Sequence, residues 1–498
     1  MRTRILLYLC GLFPIGTVQA QFGRGGIDWM TAGSDAQRSS WIRNDPKISR
    51  ESMQKPGFQF LWKVKLNNEP VQLNSLSPAI LLDFYIGYRG FRSLAFVGGS
   101  SNNVFAIDTD LARIEWQRRL PSAASTHSGT PGCPGGMTAN LARPTVSAFP
   151  MPGGRGGGRG GPAHSGVGSA GEGAVTIAAV SAIANLPAPP GRGTPPPNPG
   201  PRPSYIDAIS SDGMFHHMYV STGLEPTPPV PFLPPDANAQ GLIVIDETAY
   251  VATDQNCGSS PSGIWALDIL TGHVSTWQAD AGVAGSSGAA FAPDGTVFAA
   301  TRKGELVVLE PKTLKVKGSF TSDKEFTSSP VLFEHRGKLL IALATKDGQI
   351  QLFDTSDHPA LVAKIAGIGD NFAPGALASW VGPDGTRWLL ADNRGIAAWK
   401  VVGQDGTVAL QPGWTSRELV SPLAPAIING VVFAVSGGSP RSPAVLYAFD
   451  GTTGKELWNS GKTVTSFVHG GGVTAIGGQV YLGTYDGNLY AFGFPIEH

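Results

Sequence analysis

The residues most suited to chemistry are basic side chains at the tips of predicted β-hairpins. Arg302, Lys303, Lys346 and Arg394 belong to three consecutive segments, each typical of two strands joined by a short turn. Positively charged side chains that converge on one point create a positive potential that attracts an anion. These residues therefore predict a site for a cofactor or other small anionic ligand. Turn residues are also solvated and often charged for solubility alone, so a purely structural role for the tips stays open.

Polar residues in loops that lead into predicted strands form a second set of candidates. Arg143 and Asn371 precede such strands, and His469 is followed by a run of three glycines, where the backbone can approach a ligand closely. If the strands form a ring, these residues and the basic tips share one end of its axis. For His469, a structural role is the alternative to ligand binding.

Local motifs of common catalytic and metal sites are absent. The sequence contains no HExxH, CxxC or GxSxG motif, no phosphate-binding glycine loop and no CxxCH haem motif. His216 and His217 are neighbours on one predicted strand, so their side chains point to opposite faces and cannot share a metal ion. The sequence therefore predicts no metal site and assigns no catalytic residue.

A repeated strand pair positions these candidates. Its last copy, residues 479–492, reads QVYLGTYDGNLYAF, in which two apolar runs flank Asp486–Gly487. Such a turn predicts a hairpin, with positive φ expected at its central residues. Related segments begin at Asn103, Gly263 and Val445, each with an aspartate followed eight or nine residues later by a tryptophan. The recurring aspartates, Asp108, Asp268 and Asp450, are expected to bond nearby backbone amides.

The pattern YxGTxDGxLYAFDxxTGxxLW resembles the repeat of pyrroloquinoline quinone (PQQ) enzymes and of non-enzymatic relatives such as the lipoprotein scaffold of outer-membrane protein assembly. Residues 28–35, DWMTAGSD, are similar to the opening of quinoprotein dehydrogenases. The resemblance implies an all-β, eight-bladed β-propeller of quinoprotein alcohol dehydrogenase type, with seven blades as the competing count. It also implies that four tryptophans dock neighbouring blades, namely Trp62, Trp116, Trp277 and Trp458.

The ring requires a strand from the beginning of the chain. Residues 58–66, FQFLWKVKL, alternate as a strand, yet no three strands precede them, whereas residues 466–494 supply three strands without a fourth. We therefore expect the N-terminal strand to pair with the C-terminal blade and close the ring, which removes an open sheet edge. The propeller then spans residues 58–498, and residues 21–57 form an extension that packs on it.

The N-terminus indicates export. Residues 1–20 have Arg2 and Arg4 before a short apolar core and predict a signal peptide cut after Ala20, hence a periplasmic or secreted protein. No other segment is long and apolar enough to be a transmembrane helix. In an oxidising compartment Cys133 and Cys257 are expected to form a disulfide, with two free thiols as the alternative.

Composition sets further bounds. Residues 150–204 are dominated by Gly, Pro and Arg and predict a disordered insertion within blade two. With a net charge of +0 and 15% charged residues, the chain has no electrostatic attraction for nucleic acid or anionic membranes, and we expect no nucleic-acid partner. We expect a monomer.

Two functions remain open from the sequence. The first is an exported PQQ-repeat propeller that acts as a non-enzymatic scaffold and binds a protein, a glycan or a small anionic ligand. The second is a PQQ- and Ca-dependent dehydrogenase that oxidises an alcohol or a sugar. Quinoprotein alcohol dehydrogenases carry adjacent cysteines, which this chain lacks, and their calcium ligands find no counterpart here. The scaffold is therefore the preferred interpretation, without a cofactor, and PQQ with calcium is the alternative.

Overall fold

The computed structural model describes residues 28–87, 90–123, 129–148, 204–367, 374–392, 394–403, 407–470 and 472–495. The predicted signal peptide, the predicted insertion apart from Ser204, and Asn371 lie outside these residues. Within the described ranges, no helix has the length and apolar character needed to cross a membrane.

Eight β-sheets follow one another along the chain, which confirms the eight-bladed propeller. Before them come β1 (Trp41–Ile42), helix α1 (Arg50–Met53) and β2 (Gln59–Lys65). Blades one and two contain β3 (Ile80–Gly87), β4 (Gly90–Gly99), β5 (Asn103–Asp108), β6 (Arg113–Arg119), then β7 (Pro144–Thr145), β8 (Tyr205–Ile209), β9 (Met214–Tyr219) and β10 (Val230–Pro231). Blades three and four contain β11 (Asn238–Ile245), β12 (Thr248–Asp254), β13 (Gly263–Asp268), β14 (Val274–Gln278), β15 (Ala290–Phe291), β16 (Val297–Ala300), β17 (Glu305–Leu309) and β18 (Val316–Thr321).

The remaining strands complete the ring. Blades five and six contain β19 (Val331–His335), β20 (Lys338–Ala344), β21 (Gln349–Asp354), β22 (Leu361–Ala366), β23 (Leu377–Val381), β24 (Arg387–Asp392), β25 (Ile396–Val402) and β26 (Ala409–Thr415). Blades seven and eight contain β27 (Ala426–Ile428), β28 (Val431–Ser436), β29 (Val445–Asp450), β30 (Glu456–Asn459), β31 (Thr474–Ile476), β32 (Gln479–Gly483) and β33 (Asn488–Gly493). Consecutive strands of a blade pair antiparallel, except that the short β7 pairs parallel with β11 of blade three and leaves β8, β9 and β10 as a three-stranded sheet.

The early strand β2 closes the ring. It pairs antiparallel with β33, so blade eight has the order β2-β33-β32-β31. Lys63 lies opposite Tyr490 and Trp62 opposite Ala491. The alternating sequence of β2 suits this position, because an outermost strand presents one face to a neighbouring blade and the other to solvent. The predicted closure is confirmed.

The turn between β32 and β33 differs from the sequence prediction. Asp486 does not have a positive φ; the loop is Thr484–Gly487, closed by a hydrogen bond from the Thr484 amide to the Asn488 carbonyl oxygen at 2.9 Å. Only Gly487 is left-handed, with φ of 75°. The Asp486 carboxylate accepts a hydrogen bond from the Thr484 hydroxyl at 2.6 Å, which fixes the turn. The hairpin was predicted correctly, but its loop has four residues instead of two.

The recurring aspartates serve the turn between the third and fourth strands. In Asp108, Asp268 and Asp450 one carboxylate oxygen accepts hydrogen bonds from the backbone amides two and three residues ahead, at 2.9–3.1 Å. The predicted bonding to nearby backbone is confirmed. Because the same aspartate stabilises the same turn in three blades, we assign these aspartates a structural role and not a catalytic one.

The hydrophobic core lies between blades. One cluster joins Tyr250 and Ile264 of blade three to Phe291 and Val297 of blade four. The largest cluster runs through blades seven, eight, one and two, and therefore crosses the point of closure. Because each blade needs its neighbours to bury its faces, the ring is the stable unit.

The predicted docking tryptophans contact adjacent blades. The indole N–H of Trp62 donates to Thr109 O of blade one at 3.0 Å, and that of Trp116 donates to Val220 O of blade two at 2.8 Å. Trp277 packs against the cluster shared by blades three and four, and Trp458 forms an edge contact with Phe492 of blade eight, with ring centroids 5.6 Å apart.

Residues 28–42, which we call the hub, run around the central axis and bond the innermost strand of one blade after another. Their order follows the chain: Trp29 O accepts from Leu81 N of blade one, Met30 O from Arg143 N, Ala36 O from Phe291 N, Gln37 O from Leu332 N, Ser39 O from Ser379 N and Ser40 O from Ile427 N of blade seven, all at 2.8–3.0 Å. The Thr31 hydroxyl donates to Leu242 O of blade three at 2.6 Å. The hub thus ties blades one to seven together at the axis.

The two described cysteines form a disulfide, as predicted. Cys133 lies in the connection from blade one to blade two, and Cys257 in the loop between β12 and β13 of blade three. The bond therefore links the start of blade two to the blade beyond it.

Candidate functional site

A cavity of about 290 Å³ lies on the axis above the hub. Its floor includes Trp29 and Arg38, and its walls come from the loops that lead into the innermost strands of all eight blades. In a four-stranded antiparallel blade these loops lie at the same end as the loops between the second and third strands. We call this end the pocket face and the cavity the axial pocket.

The tight conformation of the hub creates the floor. Ser40 N donates to Gly33 O at 2.9 Å, so the segment between them doubles back on itself. Gly33 has φ of 69°, and a Cβ there would lie only 3.0 Å from the Cα of Arg38. Only glycine fits this close approach without strain. The doubled loop presents Arg38 to the pocket.

Arg38 is buried in the floor, with 2% of its surface exposed. Its Nε donates to Ala289 O at 2.9 Å, Nη1 to Thr31 Oγ1 at 2.9 Å and to Ala32 O at 2.8 Å, and Nη2 to Gly241 O at 2.9 Å. Burial lowers the pKa of Arg38 to about 9, although the nearby Asp35 carboxylate raises it. The guanidinium stays charged at neutral pH.

Several pocket-lining side chains hold the walls in place. Asn74 Nδ2 donates to Met137 O at 2.9 Å and Asn140 Nδ2 to Leu242 O at 3.0 Å, while Thr138 Oγ1 accepts from Ala239 N at 2.8 Å. These bonds join loops of blades one, two and three. The pocket shape on this side is therefore fixed by side chains that are already engaged.

A buried carboxyl supports the wall from blade six. Asp392 Oδ1 accepts from the amide of Ala376, a pocket-lining residue, at 2.8 Å. Burial raises the pKa of Asp392 to about 6, although hydrogen bonds from backbone amides lower it. Asp392 titrates beneath the pocket wall and does not line the pocket.

Of the loop residues singled out from the sequence, His469 lines the axial pocket and is exposed there. Arg143 does not line it. Its guanidinium is buried and pairs with Asp28 at 2.5 Å, and it also donates to Ser204 Oγ at 3.1 Å. Asn371 lies outside the described residues.

The basic tips lie on the pocket face but do not line the axial pocket. Arg302 forms an ion pair with Asp254 of blade three, and Lys346 pairs with Glu325 at 2.7 Å. Lys303 and Arg394 are exposed. The structure thus brings one predicted residue, His469, to the pocket and leaves the basic tips around it, two of them already paired with carboxylates.

Sequence reasoning missed the residues that give the pocket its charge and its remaining polarity, Arg38 and Thr474. Arg38 follows the DWMTAGSD opening, but no local pattern places that segment at the axis. Thr474 belongs to an innermost strand, and its periodicity resembles that of any buried strand residue. The position of Thr474 just after the His469 loop is the one signal that pointed towards it.

A serine, a histidine and a glutamate are aligned in blade two. His216 Nε2 lies 2.8 Å from Ser210 Oγ, and His216 Nδ1 lies 2.5 Å from Glu225 Oε1. Ser210 and His216 are buried, and neither lines the axial pocket. The Ser210 hydroxyl also donates to Asp212, the same turn contact that Thr484 makes to Asp486. This arrangement is part of the hairpin turn.

The pocket residues do not fit calcium-bound PQQ. Calcium takes six to eight oxygen ligands, usually including carboxylates, and PQQ itself carries three carboxylates. The described residues that line the pocket include no Asp or Glu, and Arg38 is their single permanent cation, with four of its N–H groups already engaged. Elsewhere in the described ranges no cluster of three or more His, Cys, Asp or Glu residues could hold a metal ion.

Comparison with known proteins identifies the repeat and the fold. Residues 262–360 match the family model described as outer membrane protein assembly factor BamB. The structure resembles quinohemoprotein alcohol dehydrogenase from Comamonas testosteroni, with a TM-score of 0.57 and 13% identity over 95% of this chain and 82% of that one. The quinohemoprotein alcohol dehydrogenase ADHIIG from Pseudomonas putida HK5 gives a TM-score of 0.54 and 11% identity over the same shares.

A third structure is BamB from Moraxella catarrhalis, with a TM-score of 0.50 and 12% identity over 89% of this chain and 99% of that chain. No curated protein sequence matches this chain. Enzymes and an assembly factor thus share this architecture, and at these identities the likeness concerns the fold. With eight blades and closure by β2, this chain has the fold of an eight-bladed β-propeller of quinoprotein alcohol dehydrogenase type, and its residues 262–360 carry a repeat similar to that of BamB.

Proposed function

We propose that this protein is an exported, non-enzymatic binding propeller that takes a small polar ligand in its axial pocket. The observation that carries the proposal is the lining of that pocket: hydroxyl, amide and imidazole groups from several blades converge there, and no carboxylate among the described lining residues is placed to act as a general base or metal ligand. Such a lining can orient a ligand but offers little for its chemistry.

Export is supported by the predicted signal peptide and by the disulfide between Cys133 and Cys257, since such bonds persist in oxidising compartments. The family model that matches residues 262–360 is named for an assembly factor, which favours a binding role over catalysis. A periplasmic or secreted scaffold is consistent with both.

The test compares a variant with a filled pocket and a variant altered elsewhere. Ser286→Trp places an indole in the pocket, whereas Leu270→Trp adds the same group at an exposed turn outside it. We expect native mass spectrometry of the exported protein to detect a bound small molecule in the wild type and in Leu270→Trp but not in Ser286→Trp. Retention of the same species by Ser286→Trp, or a wild type without any bound species, would contradict the proposal.

The PQQ-dependent dehydrogenase is the competing function, because it shares the whole architecture. Incubation of the full-length protein with PQQ and Ca²⁺, followed by gel filtration, separates the two. We expect no quinone absorbance to remain with the protein and no dye reduction with a panel of alcohols and sugars. Retained quinone together with dye reduction would establish the dehydrogenase instead.

A further inference from the structure

The floor of the axial pocket carries a charge that the protein does not neutralise by contact. The four partners of the Arg38 guanidinium are three carbonyl oxygens and one hydroxyl, none of them ionised. A guanidinium has five N–H groups, so one group on Nη2 is left over. A buried cation without a contacting carboxylate attracts a negative charge strongly, because little water screens it.

The nearest carboxylate is already shared. Asp35 accepts hydrogen bonds from the amide and the hydroxyl of Ser39, at 2.9 and 2.5 Å, and lies 3.9 Å from Arg43 Nη1. Its attraction therefore acts on two guanidinium groups, those of Arg38 and Arg43. The charge of Asp35 is thus divided between two cations, and no carboxylate of the described residues makes a hydrogen bond to Arg38 beneath the pocket.

The walls offer hydrogen-bonding groups that are not engaged. The Thr474 hydroxyl is buried in an innermost strand and has no hydrogen-bond partner. Within the described part of the chain, no hydrogen bond engages the side chains of Gln240, Ser286 or His469, all of which line the pocket. A buried hydroxyl without a partner costs free energy, which a ligand hydroxyl would recover.

Apolar side chains separate these polar groups. Leu73, Met137 and Val331 line the pocket between them and suit the C–H groups of a carbon chain or ring. The volume of about 290 Å³ limits the ligand to a small molecule. A dianion such as phosphate would call for a second cation, and Arg38 is the single permanent cation among the described lining residues.

We propose that the axial pocket binds a small polyhydroxylated carboxylate, of the size and charge of a sugar acid, with its carboxylate towards Arg38 and its hydroxyls against Thr474, Gln240 and Ser286. This inference rests on the proposed function and names its ligand class. It also places the anion site at Arg38 of the hub, whereas the sequence predicted it at the basic hairpin tips.

Calorimetric titration of the full-length protein with D-gluconate and with sorbitol tests the charge requirement, since the two share six carbons but only gluconate is an anion. We expect gluconate to bind at least tenfold more tightly than sorbitol. Thr474→Val should weaken gluconate binding about fivefold, the effect of one neutral hydrogen bond. Arg302→Ala is the matched control, because Arg302 lies outside the lining of the pocket, and it should leave binding unchanged.

Arg38→Gln removes the charge and should reduce gluconate binding to the level of sorbitol. If Arg38→Gln fails to fold, two other variants test the inference. Arg38→Lys keeps the positive charge and should therefore keep the preference for gluconate over sorbitol, and Thr474→Val tests the hydroxyl contact. Equal binding of sorbitol and gluconate would overturn the carboxylate inference but leave ligand binding in the pocket intact. Failure of both probes to bind would also overturn it, while the Ser286→Trp comparison judges the proposed function separately.

Discussion

The indole nitrogen of Trp62 lies 3.0 Å from the carbonyl oxygen of Thr109, so the strand that completes blade eight also ties that blade to blade one. This contact spans the point of closure. Trp62→Phe keeps most of the packing and removes the hydrogen bond, and we expect it to lower the free energy of unfolding by about 1 kcal/mol. Urea denaturation would show it as a lower midpoint with an unchanged slope. Unchanged stability would mean that closure depends on the β2–β33 ladder alone.

The buried ion pair between Arg143 and Asp28 joins the hub to blade two. Arg143→Met leaves the Asp28 carboxylate buried without its counterion, and we expect a loss of about 3–5 kcal/mol in unfolding free energy. Combining it with Asp28→Asn removes both charges and should restore part of the loss. A double-mutant cycle measures the coupling. If the two single losses simply added, the pair would not act as a unit.

The contribution of Asp392 to the free energy of unfolding should decrease as the pH rises. Its pKa in the folded state is about 6 against 3.8 for the free group, so the folded protein holds this proton to higher pH than the unfolded chain does. The contribution is therefore complete below pH 3.8, is lost as the pH rises to 6, and is constant above that value. Each pKa unit corresponds to about 1.4 kcal/mol, so the loss is about 3 kcal/mol.

Asp392→Asn should remove this dependence. We expect the difference in unfolding free energy between wild type and variant to change between pH 4 and pH 6.5, with the wild type losing stability relative to the variant as the pH rises. Chemical denaturation at a series of pH values measures it. A difference independent of pH would show that Asp392 is ionised throughout that range.

The disulfide closes a loop of 124 residues in sequence separation. In the chain-entropy description such a bond contributes about 4–5 kcal/mol, so the Cys133→Ser, Cys257→Ser double variant should unfold at a clearly lower temperature. Backbone amide hydrogen exchange should also become faster in residues 129–138, several of which line the pocket, because the disulfide no longer holds this segment. The matched control is a reductant, which should destabilise the wild type and leave the double variant unchanged. Equal stability of wild type and variant would contradict this expectation.

The fold could be predicted from the sequence because its determinants are local. The Asp-Gly hairpins, the spacing from aspartate to tryptophan and the alternation in residues 58–66 each reflect a periodicity or turn preference that acts over a few residues. The length of the Thr484–Gly487 loop was predicted incorrectly, because an Asp-Gly pair also occurs within longer turns with a single left-handed glycine.

The site was harder to predict because its members are distant in sequence. Arg38 reaches the pocket only because the hub circles the axis, and its acceptors Gly241 and Ala289 lie more than 200 residues away. Arg302 was singled out as a cation, but its partner Asp254 is the last residue of β12 in the neighbouring blade. Pairings of this kind depend on the ring geometry, and no local pattern in the chain encodes them.

The hub also determines when the molecule can become complete during synthesis. Residues 28–42 are made before every blade of the ring, yet their last backbone partner, Asn429, follows nearly 400 residues later, and β2 waits for Asn488–Gly493. Contacts this distant in sequence make folding slow. The nascent chain must therefore keep its beginning available until its end has been translated, and a ribosome stalled before residue 488 would hold a ring that cannot close.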